Sequence, residues 1–231
     1  MSGSHELAPP AGVAIFDLDG TLTTRDTFLA FLLTFGRRYR RWGAVARTPP
    51  RLAAYLAKLY PDYRLKQALI VDYLSAVDPE SVAEHRRWFC DHWLPRRLHP
   101  IGMPLLRAHH ARGDRVILLS ASPDVFVPEV ARVLGIDEVL CTRIERRGEG
   151  WTGRIVDGNC KGRRKLEVIR GHLGCESAPP NSYAYGDSAG DRHVLQWVRY
   201  GAWVRRRRLQ PLATSDGVAF PRSDAGHERS K

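Results

Sequence analysis

The sequence predicts an α/β protein: a doubly wound parallel sheet covered by helices on both faces, with a small α-helical block inserted after the first strand. Three observations lead there. Val13–Phe16, Val116–Leu119 and Ser182–Tyr185 are short, largely apolar runs without alternation, the pattern of strands buried on both faces. Segments of helical periodicity separate the later runs, as in β-α-β units. From Asp26 to about Pro100 the periodicity is helical throughout, with no strand-like run.

In chain order, Val13–Phe16 is the first strand and ends at Asp17-Leu18-Asp19-Gly20-Thr21-Leu22. Asp26 and Thr27 are suitable N-caps for a helix through Phe28–Leu33. Arg51 to Tyr60 and Arg64 to Leu74 carry apolar residues at three- and four-residue spacing, and Pro49-Pro50, Pro61 and Asp78-Pro79 punctuate the block. Ser81 and Glu84 fit a capping box for a helix towards Leu94. The β-α-β alternation resumes with a helix over Met103–Arg112 and the strand Val116–Leu119. Pro123, after Ser122, suits the first position of a helix to Leu134. Val139–Ile144 and Trp151–Val156 form a hairpin around a glycine turn, Lys165–Leu173 and Asp191–Val198 are helices, and Ala202–Val204 is a last strand. The expected organisation is a disordered N-terminus (1–12), a core (13–24 and 101–204), a helical insert (25–100) and a basic, disordered tail (205–231).

Composition limits the function classes. The chain has 36 Lys and Arg against 25 Asp and Glu, a formal charge of +11 with histidine neutral. That excess fits anionic partners: phosphate esters, acidic lipid or nucleic acid. A nucleic-acid-binding module is the alternative of a different class. It is disfavoured because Arg205–Arg208 has no interleaved aromatics and no nucleic-acid motif is present. The four cysteines show neither C-x-x-C nor metal-ligand spacing, the pattern of reduced thiols in a cytoplasmic protein. Met1–Pro10 is unlike a signal peptide, and the longest apolar stretch, Phe28–Phe35, falls short of the ~20 residues that span a bilayer.

The chemistry concentrates at strand ends. Asp17 and Asp19, one residue apart on an extended chain, point the same way and are costly together unless a cation or substrate uses them. Ser120 lies where a strand meets a helix, and its hydroxyl can donate to an anion; Ser122 could serve the same purpose. Gly186-Asp187-Ser188-Ala189-Gly190-Asp191 can bring two carboxylates to one hard cation across a glycine-rich turn. Two lysines compete for a place near them. Lys165 opens a helix with Val168, Ile169 and Leu173 on one face, whereas Lys161 sits on the preceding loop. The helical register favours Lys165.

Taken in order, D-x-D-G-T-L, the strand followed by S-A-S-P, C-x-G-x-x-K and G-D-x-x-x-D resemble the four motifs of the haloacid dehalogenase superfamily in its phosphatase form. The placing of the helical insert resembles subfamily IB, which includes phosphoserine phosphatase. The resemblance runs from Val13 to Trp203. It implies a Rossmann-like core with a helical cap, and hydrolysis of a phosphomonoester through an aspartyl-phosphate on Asp17, with Asp19 as general acid and base. It further implies Mg²⁺ held by Asp17, Asp19 through its carbonyl, Asp187 and Asp191, and phosphate held by Thr21, Ser120, Ala121 and Lys165. A small soluble phosphorylated metabolite such as phosphoserine is the expected substrate. Asp26, Arg64 and Lys66 are candidates for recognising the rest of it, although Asp26 reads more readily as a helix cap. Arg37–Trp42, a basic stretch beside an apolar helix, also suits a peripheral contact with anionic membrane. It resembles phosphatidylglycerophosphate phosphatases of the same subgroup, the alternative substrate class.

Overall fold

A computed structural model describes residues 12–212 except 60 and 149. Its centre is a seven-stranded sheet. The strands in chain order are β1 (Val13–Phe16), β2 (Arg115–Pro123), β3 (Glu138–Arg147), β4 (Gly150–Val156), β5 (Ser182–Gly186), β6 (Tyr200–Arg205) and β7 (Arg208–Pro211). They lie in the order β4-β3-β2-β1-β5-β6-β7. The five inner strands are parallel, and β4 and β7 close the two edges in antiparallel fashion. Strand order therefore reverses at β1, which pairs with β2 on one side and β5 on the other. Ligands of open parallel sheets sit at such a reversal, beyond the carboxyl ends of the strands.

Uninterrupted apolar strands arise because both sheet faces are covered. Ala14 and Phe16 of β1 join one apolar cluster with Leu118 and Tyr185, while Ile15 joins another with Ile117, Leu119 and Ala184. The second cluster is closed by α7 (Arg163–Leu173) and α8 (Arg192–Trp197) through Ile169, Val194 and Leu195. On the first face lie α5 (Gly102–Ala111) and α6 (Val127–Val133), together with the helical block that precedes them. That block comprises α1 (Thr27–Arg38), α2 (Trp42–Leu56), α3 (Asp62–Leu74) and α4 (Pro79–Trp88), then a π-helical turn and a 3-10 turn to Arg97. Its Phe31, Leu69 and Tyr73 belong to the same cluster as Phe16. Where the chain leaves and rejoins the core, Thr24 N–H donates to Arg97 O (2.7 Å) and His99 N–H to Leu22 O (2.8 Å).

Several local expectations change. Pro49 and Pro50 do not break a helix but lie inside α2. The α4 helix is capped by Asp78, whose Oδ1 accepts Ser81 N–H at 2.7 Å, so Ser81 is inside the first turn and is not the cap. Pro123 ends β2, and the helix after it begins four residues later at Val127. Gly12, expected in the disordered start, donates its N–H to Asp114 Oδ1 at 2.8 Å; residues 1–11 lie outside the described residues. The basic tail is not structureless from its start: Arg208–Pro211 pairs with β6 as an edge strand, where its charges face solvent. The rest of the tail, from residue 213, lies outside the described residues.

Gly102 fixes how α5 meets the loop after β1. A Cβ there would stand 1.9 Å from Thr21 O, a backbone atom that cannot swing aside. We expect Gly102→Ala to lower stability by about 1–3 kcal/mol, the usual cost of forcing atoms into a filled site, measured by urea denaturation.

Candidate active site

The carboxyl ends of β1, β2 and β5 converge on one cleft of about 380 Å³, lined by Asp17, Asp19, Ala121, Lys165, Asp187 and Asp191 among others. Its floor is an ionic cluster. Lys165 Nζ lies 2.5 Å from Asp17 Oδ1 and 2.6 Å from Asp191 Oδ1, and all three side chains are buried. Gly162 precedes α7, so Lys165 sits in that helix's first turn, and Ile169 one turn on anchors the helix against the sheet. Burial alone would pull the Lys165 ammonium down, but the paired Asp17 and Asp191 push it up overall, so it stays charged. Lys161 stands elsewhere. It lines the cleft at the rim, half exposed, with Nζ 2.7 Å from Asp62 Oδ2 of α3.

Asp17, Asp187 and Asp191 offer carboxylate oxygens that all lie within 4.8 Å of one another. An octahedral Mg²⁺ with oxygens at ~2.0–2.1 Å sets its ligands at most ~4.2 Å apart, so little closing is needed. The charge state also fits a cation. Burial pushes the Asp17 carboxyl well above the usual range, with Asp191 and Asp19 adding to the rise and Lys165 opposing it. Asp187 is pushed up to about 6 by burial, then by Asp191 and Asp19. One buried ammonium does not balance these carboxylates, and a divalent ion would. Gly20, at φ +79°, leaves the room required: a Cβ there would meet Asp187 Oδ2 at 2.1 Å. Asp191 is aimed by Ser188, whose N–H and Oγ donate to its Oδ2 at 3.1 and 3.0 Å.

The Asp19 carboxylate is not in that cluster. Its Oδ1 accepts both the N–H and the hydroxyl of Thr27 at 2.6 Å, and its Oδ2 accepts Ser122 Oγ at 2.6 Å. Burial, followed by the nearby Asp26, raises its carboxyl above the ordinary range against the pull of those donors. A carboxyl held apart from the cluster and raised in this way is placed for proton transfer. Ser120 is fully buried at the end of β2, with Oγ accepting Ser122 N–H at 3.1 Å. Sequence reasoning weighed Ser122 only as a substitute for Ser120 and Thr27 only as a helix cap. Their roles as Asp19's holders depend on pairings across 103 and 8 residues that no local pattern announces.

The remaining predicted residues divide. Ala121 lines the cleft, and its carbonyl is bonded by Lys66 Nζ and lies 2.7 Å from Thr142 Oγ1. Lys66 is buried, with Nζ also 2.7 Å from Asn159 Oδ1, and burial pushes it down to about 8. It thus ties α3 to the end of β2 and to the loop after β4. Asp26 lines the cleft but also caps α1, accepting Leu29 N–H at 2.8 Å. Arg64 is exposed and outside the cleft lining. Thr21 is fully buried below the loop, its hydroxyl without a hydrogen-bond partner among the described residues.

The chain is similar to known proteins in sequence and in fold. The family model for haloacid dehalogenase-like hydrolases matches residues 14–196. Protein CicA of Caulobacter vibrioides is 33% identical over 182 residues, covering 78% of this chain and 80% of that protein. Histidinol-phosphatase of Neisseria meningitidis is 25% identical, covering 80% of this chain and 86% of that one. Among solved structures, a substrate-bound phosphoserine phosphatase superposes with a TM-score of 0.56 at 17% identity, covering 84% and 85% of the two chains.

The two lysines can be told apart. Lys165→Met removes the only ammonium on the cleft floor among the described residues, and kcat/KM for a phosphate ester should fall at least ~100-fold, the scale of losing one charge-stabilising donor. Lys161→Met should cost less than about tenfold, the scale of a screened surface pair. Steady-state kinetics of both variants checks the order, and a reversal would move the role to Lys161.

Proposed function

The chain belongs to the haloacid dehalogenase-like hydrolases, and on that premise we propose that it is a Mg²⁺-dependent phosphomonoester hydrolase of subfamily IB. The observation that carries the reading is the Lys165 ammonium shared by Asp17 and Asp191, with Asp187 close enough for the three carboxylates to hold one metal ion. The likeness to histidinol-phosphatase supports a phosphate ester as substrate, and the fold shared with phosphoserine phosphatase supports the placing of the site.

In the proposed mechanism an Asp17 carboxylate oxygen attacks phosphorus in line, forming an O–P bond as the ester O–P bond breaks. Asp19 gives its proton to the departing alcohol oxygen. It then takes a proton from water as that water attacks phosphorus and the Asp17 O–P bond breaks. Thr27 and Ser122 hold the Asp19 carboxylate in one orientation through both steps. Lys165 keeps its charge and offsets the repulsion between Asp17 and the phosphate dianion, while Ser120 can turn its hydroxyl to a phosphoryl oxygen. A divalent cation held by Asp17, Asp187, Asp191 and the Asp19 carbonyl would supply further neutralisation of phosphoryl charge. The helical block over α1–α4 acts as a cap, whose α3 faces the cleft with Asp62 and Lys66.

The cleft volume and its polar lining suit a small soluble phosphorylated metabolite. The four free cysteines, Cys90, Cys141, Cys160 and Cys175, agree with a reducing, cytoplasmic setting.

Asp17→Asn should lower turnover of an aryl phosphate by at least about 10⁴-fold, the scale of losing a nucleophile, with an unchanged circular dichroism spectrum. Chelation should silence the wild type and Mg²⁺ restore it, with Ca²⁺ a poor substitute because it relaxes the octahedral geometry. Full activity after rigorous chelation would remove the metal from the mechanism.

A further inference from the structure

The outward face of α2 is apolar where a surface helix is normally polar. Trp42, Ala46, Pro49, Pro50, Ala53 and Leu56 are all exposed, and at 100° per residue they fall within about 120° of the helix circumference. The opposite side is the packed one, with Ala44 and Thr48 buried. Trp42 is 56% exposed and Leu56 76%, and Leu59, just past the helix end, is 74% exposed. Tyr63, at the start of α3, is exposed too. Contiguous apolar surface of this kind marks a contact surface.

The charge around it identifies the partner. Between Asp26 and Asp62 the sequence holds seven Lys and Arg and no Asp or Glu. Arg38, Arg47 and Arg51 are paired with Glu84 and Asp72, acids contributed by other helices. Arg37 and Arg40 before α2, and Lys58 after it, are exposed with no ion pair among the described residues. An apolar helix face with an exposed Trp, flanked by free cations and lacking acids, has the chemistry of a helix lying in the headgroup region of an anionic bilayer. A second copy of the chain fits poorly, because a two-fold contact would bring the unpaired Arg37, Arg40 and Lys58 of both copies together.

We propose that the outer face of α2, with Leu59 and Tyr63, docks the protein reversibly on an anionic lipid bilayer. The helix lies in the plane of the surface, Trp42 and Leu56 enter the headgroup boundary, and Arg37, Arg40 and Lys58 meet lipid phosphates. Tyr63 adjoins Asp62, whose carboxylate pairs with Lys161 at the cleft rim, so the docked face borders the cleft mouth. This surface does not depend on the phosphatase reading, and binding is measured without turnover.

The test is co-sedimentation of the full chain with vesicles of phosphatidylcholine alone and of phosphatidylcholine and phosphatidylglycerol in equal parts. Binding should be confined to the anionic vesicles and weaken with salt. Arg40→Gln and Lys58→Gln should each lower the partition coefficient about fivefold. The double variant Leu56→Ser, Leu59→Ser should lower it at least about tenfold, with an unchanged circular dichroism spectrum and thermal midpoint as proof of folding. Three results would overturn the proposal: no binding to anionic vesicles; undiminished binding by the leucine variant, which would move the contact to cations elsewhere; or a dimer in light scattering that the leucine variant dissociates, which would make the face a self-contact.

Discussion

The ion cluster of Lys165, Asp17 and Asp191 is the constraint on which the rest of the structure depends. Taking such charges out of water costs several kcal/mol per ion, and only close pairing offsets it. The three groups come from α7, the end of β1 and the turn after β5, with pairings that cross 148 and 26 residues. The parallel pairing of β1 with β5, in register from Val13–Ser182 to Phe16–Tyr185, is what brings the two aspartates to the same end of the sheet. Ile169 and its neighbours hold α7 at the height where Lys165 meets them. A shift of α7 by one turn, ~5.4 Å, would leave buried carboxylates without a counter-charge.

The cleft separates two kinds of carboxylate by their surroundings. Asp17 and Asp191 share an ammonium, and with Asp187 they offer oxygens within 4.8 Å of one another, close enough to hold one metal ion. Asp19, two residues from Asp17, is turned aside by Thr27 and Ser122 and stays apart from that cluster. Carboxyls in different environments are suited to different tasks, which in the proposed mechanism are attack for Asp17 and proton transfer for Asp19. Thr27 opens α1 and Ser122 lies one residue from the end of β2, so the orientation of Asp19 couples the helical block to the sheet. Lys66 adds a second coupling, from α3 to Ala121 and Asn159.

Much of this was legible in the sequence. Strands buried on both faces have no alternation to confuse, and the four motifs mark the strand and helix ends that form the cleft. Helix register and the C-x-G-x-x-K motif both favour Lys165 over Lys161, and the structure places Lys165 in the cluster. Other features needed the tertiary fold. Pro49 and Pro50 read as a break because the missing N–H groups are a local penalty, yet the buried side of α2 holds the helix through them. The partners of Asp19 were invisible because Thr27 and Ser122 look locally like a cap and a loop serine. Arg208–Pro211 has no apolar periodicity, and its strand exists only because β6 offers an unpaired edge. The outward apolar face of α2 was hidden for the opposite reason, since periodicity alone does not say which side of a helix is buried.

The central claim is that Asp17 takes the phosphoryl group before water does. The stereochemistry at phosphorus tests it most directly, using an aryl phosphate ester made chiral with oxygen isotopes and a second alcohol as acceptor in place of water. Two in-line displacements, one onto Asp17 and one off it, predict net retention of configuration. Net inversion would mean a single direct displacement and would contradict the account.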